Sequence, residues 1–417
     1  MVSVAIAISY LDRLALPVAI KAIERDIPIT NQQFSLLQTA FLFTYAIMYA
    51  VGGRLIDVLG TQRGFAVVMV FWSLACLGHG FAGSFLFLAA CRLLLGAGEG
   101  GGFPAATRAM AEWFPHKERT HAMGIINTGS AVGMIAAPLL ITGILLVADW
   151  RWVFYVSGAT GLLWTLWWRR AYHPPESHPR LGAAERAELA EVIAPAGGVI
   201  GGAAPRWSDL LRLRATWALL AAKFLSDGAW YFYLFWLPKY LYDARGLDVK
   251  AVGSFAWIPP VGAGIGSFFG GWFCSWLAHR HLSLNASRKV AMALAAVVMP
   301  LMLFVPAAPV GWAVAFFCGA YFGHQFWATI IMTLPADLFP KNCVGAVAGL
   351  MGCAGGFGGV AFGQLVGWLL DSGPGWGMVF AIAGSLHLAS FGIICLVMPT
   401  LRPVTLPVRP QTQPVPA

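Results

Sequence analysis

The sequence predicts an all-α membrane protein of 12 transmembrane helices arranged as two pseudo-symmetric six-helix bundles. Three observations lead there. Hydrophobic residues make up 59% of the 417 and charged residues 11%, with a mean hydropathy of +0.71, so a water-facing fold would lack polar surface. Twelve apolar segments are each long enough to cross a hydrocarbon core that takes about 20 helical residues. The second six also echo the first: AEWFP at 111–115 returns as ADLFP at 336–340, 225 residues on, and Trp150, Val153, Phe154 and Gly158 return as Trp376, Val379, Phe380 and Gly384, 226 on. Gly52-Gly53 has its counterpart in Gly270-Gly271, 218 on. Parallel repeats of this kind place a substrate site near the bilayer midplane between the halves. Two fused channel-forming halves would share the repeat but need no central hinge.

In chain order the spans fall near 1–22, 34–57, 64–83, 85–110, 120–148 and 152–171, then 214–242, 250–279, 288–306, 310–335, 343–370 and 376–399. The apolar start lacks a basic n-region and a small-residue cleavage site, so insertion is expected from the spans themselves. No polar tail precedes the first span, which implies either a start placed too far downstream or a short first helix. Residues 1–171 form the expected N-terminal bundle and 214–399 the C-terminal one. Between them, 172–213 reads as a cytoplasmic central loop: HPPESHPR stops a helix, AAERAELAEV suits a short amphipathic helix, and APAGGVIGGAAP is a flexible linker. The Pro-rich residues 400–417 read as a disordered cytoplasmic tail.

Basic residues set the expected orientation. Eighteen Lys and Arg lie on the side of the loops after spans 2, 4, 6, 8 and 10, against six on the other. By the positive-inside rule both termini are cytoplasmic; a bacterial inner membrane is the expected location. The net charge of +9 is therefore a topology signal, and its scatter over separate loops argues against nucleic acid as a partner. The bilayer itself is the expected surrounding, with the chain acting as a monomer. The seven Cys lie in apolar stretches without CxxC spacing, so neither a disulfide framework nor a metal site is signalled. Dispersed His, Ser outside any nucleophile elbow and the lack of a metal cluster make an enzyme the least favoured class, with no cofactor expected.

Charges inside the spans are the candidates for function, because each costs roughly 2.5–3.5 kcal/mol at a bilayer centre. Asp12 and Arg13 stand side by side in YLDR and are expected to neutralise one another. An anionic substrate that took the Arg13 fork would strip Asp12 of its counter-charge, and Asp12 would take up a proton. Arg92 and Glu99 are seven apart, about two turns, so both face one side with about 10 Å of rise between them. The glycines around Glu99 are not a phosphate loop, since no GK[ST] follows, and Gly96 and Gly100 form a GxxxG packing surface. In the second half Trp230, Tyr231, Tyr233 and Trp236 cluster beside Asp227, either to stack on a sugar or as an interfacial belt. His324 and Gln325 suit sugar hydroxyls or a structural role.

GGRLIDVLGTQRG at 52–64 resembles the loop signature of the major facilitator superfamily. YLDR, RLLLGAGEGGGFPA, EWFPHKER, NTGSAVG, KFLSDGAWYFYLFWLPKYL and NASRK together resemble its anion:cation symporter family, and within it the hexuronate transporters. The resemblance covers essentially the whole chain. It implies the major facilitator fold and proton-coupled symport of a sugar acid such as glucuronate or galacturonate by alternating access, with H+ as coupling ion. It also implies protonation at Asp12 and Glu99, a substrate site lined by Arg13, Tyr45 and Arg92, and a gate at Asp57 and Arg63. His116, Lys117, Glu118 and Arg119 read as a solvated loop. The sequence departs from sugar-acid relatives in span 11, where GLMGCAGGFGGV offers only small residues in place of Asn. Organophosphate antiport would call for an Arg in span 7, where Lys223 and Asp227 stand, and drug antiport for a Gly-Pro pair in span 5, where Gly133 and Pro138 are separated. A non-transporting membrane sensor of sugar acids, or carriage of another organic anion, are the alternatives.

Overall fold

In hydrocarbon every backbone polar group must be satisfied within the chain, which favours helices over open strands. The computed structural model describes residues 1–114, 119–182, 184–187, 189, 207–280, 282–339 and 344–404, and at some helix positions, Asp57 among them, the backbone alone. Among the described residues there is no strand. The helices are α1 (Val2–Ile23), α2 (Asn31–Leu59), α3 (Thr61–His79), α4 (Phe85–Glu99), α5 (Gly102–Trp113), α6 (Arg119–Val147) and α7 (Arg151–Ala171). The second half holds α8 (Arg214–Asp243), α9 (Val249–Phe255), α10 (Ile258–His279), α11 (Leu284–Val298), α12 (Val310–Ile331), α13 (Leu334–Leu338), α14 (Val344–Ser372) and α15 (Gly375–Val397).

Among the described residues nine helical segments are long and apolar enough to cross a membrane. Helices α2, α7 and α8, with 29, 21 and 30 residues, are also long enough but carry more polar and aromatic side chains. Four expected spans are interrupted: span 4 breaks at Gly100-Gly101 between α4 and α5, span 8 before Pro259-Pro260, span 9 ends in a 3-10 stretch, Met299–Phe304, and span 10 breaks at Met332-Thr333 between α12 and α13. Prolines fit a helix's first turn, where their missing N–H costs no bond, so α10 begins afresh there. Helix starts are capped by Thr30, Ser84, Asp248 and Ser283 side chains, each accepting from a backbone N–H three residues on.

Small residues decide which helices touch. A Cβ on Gly96 would lie 2.1 Å from the Phe41 carbonyl oxygen and one on Gly100 2.7 Å from that of Tyr45, so the GxxxG pair does seat α4 against α2. Gly129 and Gly133 seat α6 on α1, and Gly262, Gly266 and Gly270 seat α10 on α12. Across the two halves α2 packs on α14, α1 on α8, and α6 on α9 and α10. The central loop from 190 to 206, the tail from 405, Pro115 to Glu118 and the Asp57 side chain lie outside the described residues.

Candidate functional site

The charges of YLDR do not pair with each other. Successive residues of a helix point about 100° apart, so Asp12 and Arg13 leave α1 in different directions. Arg13 reaches across to α4, where its Nη2 and Nε donate to Glu99 Oε2 at 2.8 and 3.1 Å. Ser9, one turn before Arg13, donates to the same oxygen at 2.8 Å. Both charged side chains are almost fully enclosed, at 3% and 0% exposure. Asp12, 1% exposed, faces α3 and accepts a thiol contact from Cys76 at 3.5 Å. Its Oδ2 has no hydrogen-bond partner among the described residues, and neither has Glu99 Oε1. The expected Asp12–Arg13 neutralisation is thus replaced by an Arg13–Glu99 pair and a buried carboxyl without a cation.

Arg92 is the complementary case. It is fully buried on α4, and its Nη2 donates to Gln38 Oε1 at 3.3 Å and to the Arg13 carbonyl oxygen at 3.5 Å. Its Nε and Nη1 are unpartnered among the described residues. Two turns of helix carry Arg92 too far along α4 to meet Glu99. The Arg13 guanidinium lies between rings, 4.7 Å from the centroids of both Tyr10 and Tyr45 and 5.3 Å from Phe41, which shields its charge by cation–π contact. Tyr45 stacks on Phe41 and touches Tyr49.

The second half brings its candidates together only in part. Tyr231 stacks on Phe235 and lies against Gly359 of α14, where a Cβ would stand 2.4 Å from the ring. Trp230 is stacked on His324 at 4.5 Å, and His324 Nδ1 is 3.1 Å from His387 Nε2, a pair enclosed between α12 and α15. Gln325 is half-buried on the α12 turn that carries Phe322 and Thr329 toward α10. Tyr233 and Trp236 are core residues, Tyr233 donating to the Ala383 carbonyl and Trp236 edge-on to Phe34, so the cluster is not an interfacial belt. Lys223 and Asp227 form a buried pair at 2.8 Å. Arg63 is exposed at the start of α3.

The chain matches the sequence profile of the Major Facilitator Superfamily over residues 2–363. It is a member of that superfamily. It is similar to the hexuronate transporter of Escherichia coli K12, 30% identical over 404 residues that cover 95% of this chain and 92% of that one. The galacturonate transporter of Dickeya chrysanthemi is 33% identical over 303 residues, 72% of this chain and 87% of that one. The fold resembles the crystal structure of a bacterial homolog of the human lysosomal transporter Spinster, with TM-score 0.70 at 16% identity over 95% and 93% of the two chains. The major facilitator fold expected from the loop signature is therefore present, and the protein is an integral multi-pass membrane transporter, not an enzyme.

Among the described residues the polar contacts between halves cluster at one end. Lys239 donates to Glu24 at 2.7 Å, Lys21 pairs with Asp243, and the Tyr242 hydroxyl donates to the Val18 carbonyl at 3.0 Å. Beside them Asn31 Nδ2 and the Gln32 N–H each donate to Asp371 at 2.8 Å, and Gln364 bridges Gln32 and Thr39. The adjoining loop is braced by Asp26, whose carboxyl is held below the usual carboxylate range by the Trp150 indole and the Arg151 guanidinium. Sequence reading missed Ser9, Tyr10, Gln38 and Cys76. Ser9 and Tyr10 were findable, since they sit four and three residues before Arg13, on its face of the helix.

Proposed function

We propose that the protein is a symporter that carries a six-carbon sugar acid, such as glucuronate or galacturonate, inward together with protons. The observation that carries this reading is the Arg13–Glu99 pair beside an Asp12 carboxyl that has no cation. An isolated carboxylate at that depth costs several kcal/mol, so Asp12 holds a proton while the site is enclosed. A substrate carboxylate binds Arg13 as a two-pronged acceptor and displaces Glu99 from it. Glu99, left without its cation in a dry site, then takes a proton on Oε1, the oxygen that already lacks a partner. Anion and proton are thereby bound together, and releasing one favours releasing the other. Arg92, with two unpartnered N–H groups, holds the positive potential that draws the anion in. Tyr45, Trp230 and Tyr231 contribute aromatic faces and hydroxyls to the sugar, with His324 and Gln325 farther along the second half.

Alternating access follows from the cluster of contacts at one end. With both termini in the cytoplasm of a bacterium, the closed end is the outer one, and transport requires the Lys239–Glu24 and Asn31–Asp371 contacts to part. Asp57 and Arg63 act at the opposite end. Names of the relatives support a sugar acid as cargo. The test is uptake of radiolabelled glucuronate by purified monomer in proteoliposomes, with and without an inward acid gradient. Gradient-driven accumulation is expected; no flux under any gradient would overturn the assignment.

A further inference from the structure

The pair Lys223–Asp227 lies midway along α8, one helical turn apart, with the ammonium 2.8 Å from each carboxylate oxygen. An ion pair inside a membrane helix costs desolvation that pairing only partly offsets, which makes it a candidate for function, and neither partner belongs to the proton and anion machinery of the first half. Four features place it beside that machinery and leave it a donor to spare. Its side chains keep 11% and 10% of their surface exposed, against 3% and 0% for Arg13 and Glu99. Asp227 faces Gly355 of α14, where a Cβ would stand 2.2 Å from Oδ2, so only a glycine lets the carboxylate seat against the helix opposite. Gly352 and Gly359, about one turn either side of Gly355, lie against Tyr49 and Tyr231, and Tyr49 touches Tyr45, whose ring centroid is 4.7 Å from the Arg13 guanidinium. An ammonium has three protons to donate, and Asp227 supplies the acceptors for two; among the described residues no other side chain takes the third.

Resting on the sugar-acid reading, we propose that Lys223 is the second-half contact for the substrate, donating to a hydroxyl or ring oxygen remote from its carboxylate, and that Asp227 makes this wall select against diacids. The logic is one of charge. Arg13 offers a cation to one carboxylate, whereas Lys223 arrives already neutralised, so it supplies a strong donor without net charge. A second carboxylate placed there meets Asp227, and the repulsion discriminates where attraction alone would not. The glycines of α14, which sequence reading took as an empty stretch where relatives place a polar residue, make room for this pair.

The test uses the full chain in proteoliposomes, with glucuronate as the monoacid and galactarate, a six-carbon diacid, as competitor. Lys223→Gln should raise the glucuronate KM at least tenfold with Vmax within threefold, as expected for a lost charge-assisted hydrogen bond, and Lys223→Arg should restore most of it. Asp227→Asn should make galactarate at least tenfold more effective against glucuronate. If either single variant is not recovered from the membrane, the neutral double variant Lys223→Gln/Asp227→Asn is measured, where both the raised KM and the improved competition are expected. Unchanged KM in Lys223→Gln, a fall in Vmax alone that Lys223→Arg does not rescue, or an unmoved galactarate-to-glucuronate ratio in Asp227→Asn would each overturn the inference. Thermal shift with the same two acids separates it from the transport reading. A wild type that binds glucuronate but does not carry it fails as a transporter only, whereas a Lys223→Gln variant that binds as the wild type does fails this inference only.

Discussion

Among the described residues Arg13 has one anionic partner, and it sits 86 residues away on another helix. Removing the fork by Arg13→Gln strands Glu99 and deprives the substrate of its anchor, so the glucuronate KM should rise at least tenfold; an unchanged KM would move the anchor to Arg92. That Asp12, Arg13, Arg92 and Glu99 matter was legible, because charges in apolar helices are conspicuous and expensive. Their pairing was not, since spacing along one helix says which side chains share a face but not which helix lies opposite. The 100° turn between neighbours would have argued against an Asp12–Arg13 pair from the outset. The i, i+4 spacing of Lys223 and Asp227 allowed their pairing to be read, although the two residues were named without being paired.

Helix by helix, the span positions read from hydropathy agree with the observed helices to within about four residues at most ends. What hydropathy could not see was backbone interruption, because the Gly100-Gly101 break and the fresh start at Pro259 leave the apolar content unchanged. It also did not say what the glycines of span 11 were for. Gly358 would place a Cβ 1.9 Å from the Phe224 carbonyl oxygen, and Gly96 one 2.1 Å from that of Phe41. Backbone cannot yield as a side-chain tip can, so Gly358→Ala and Gly96→Ala should each destabilise by about 1–3 kcal/mol. Thermal unfolding in detergent checks this, with Gly349→Ala, where nothing lies within 4 Å of the added carbon, as the silent control. Equal melting temperatures for all three would refute the packing argument.

For the molecule as a whole, the two halves were visible as a repeat, but the end at which they are latched was not. The latch joins side chains more than 200 residues apart, and its members read individually as helix-end charges. Linking Asn31→Cys to Asp371→Cys by a disulfide should abolish uptake, and reduction should restore it, because the closed end must open once per cycle. Uptake that survives the crosslink would mean that the two halves do not part there. The coupling claim is tested most directly by comparing Glu99→Gln with the wild type in two modes, glucuronate counterflow at equal pH and accumulation driven by an inward acid gradient. Counterflow should persist within a few fold while gradient-driven accumulation is lost, because the neutral amide fixes position 99 in the form of the protonated acid. Accumulation equal to the wild type's would contradict it.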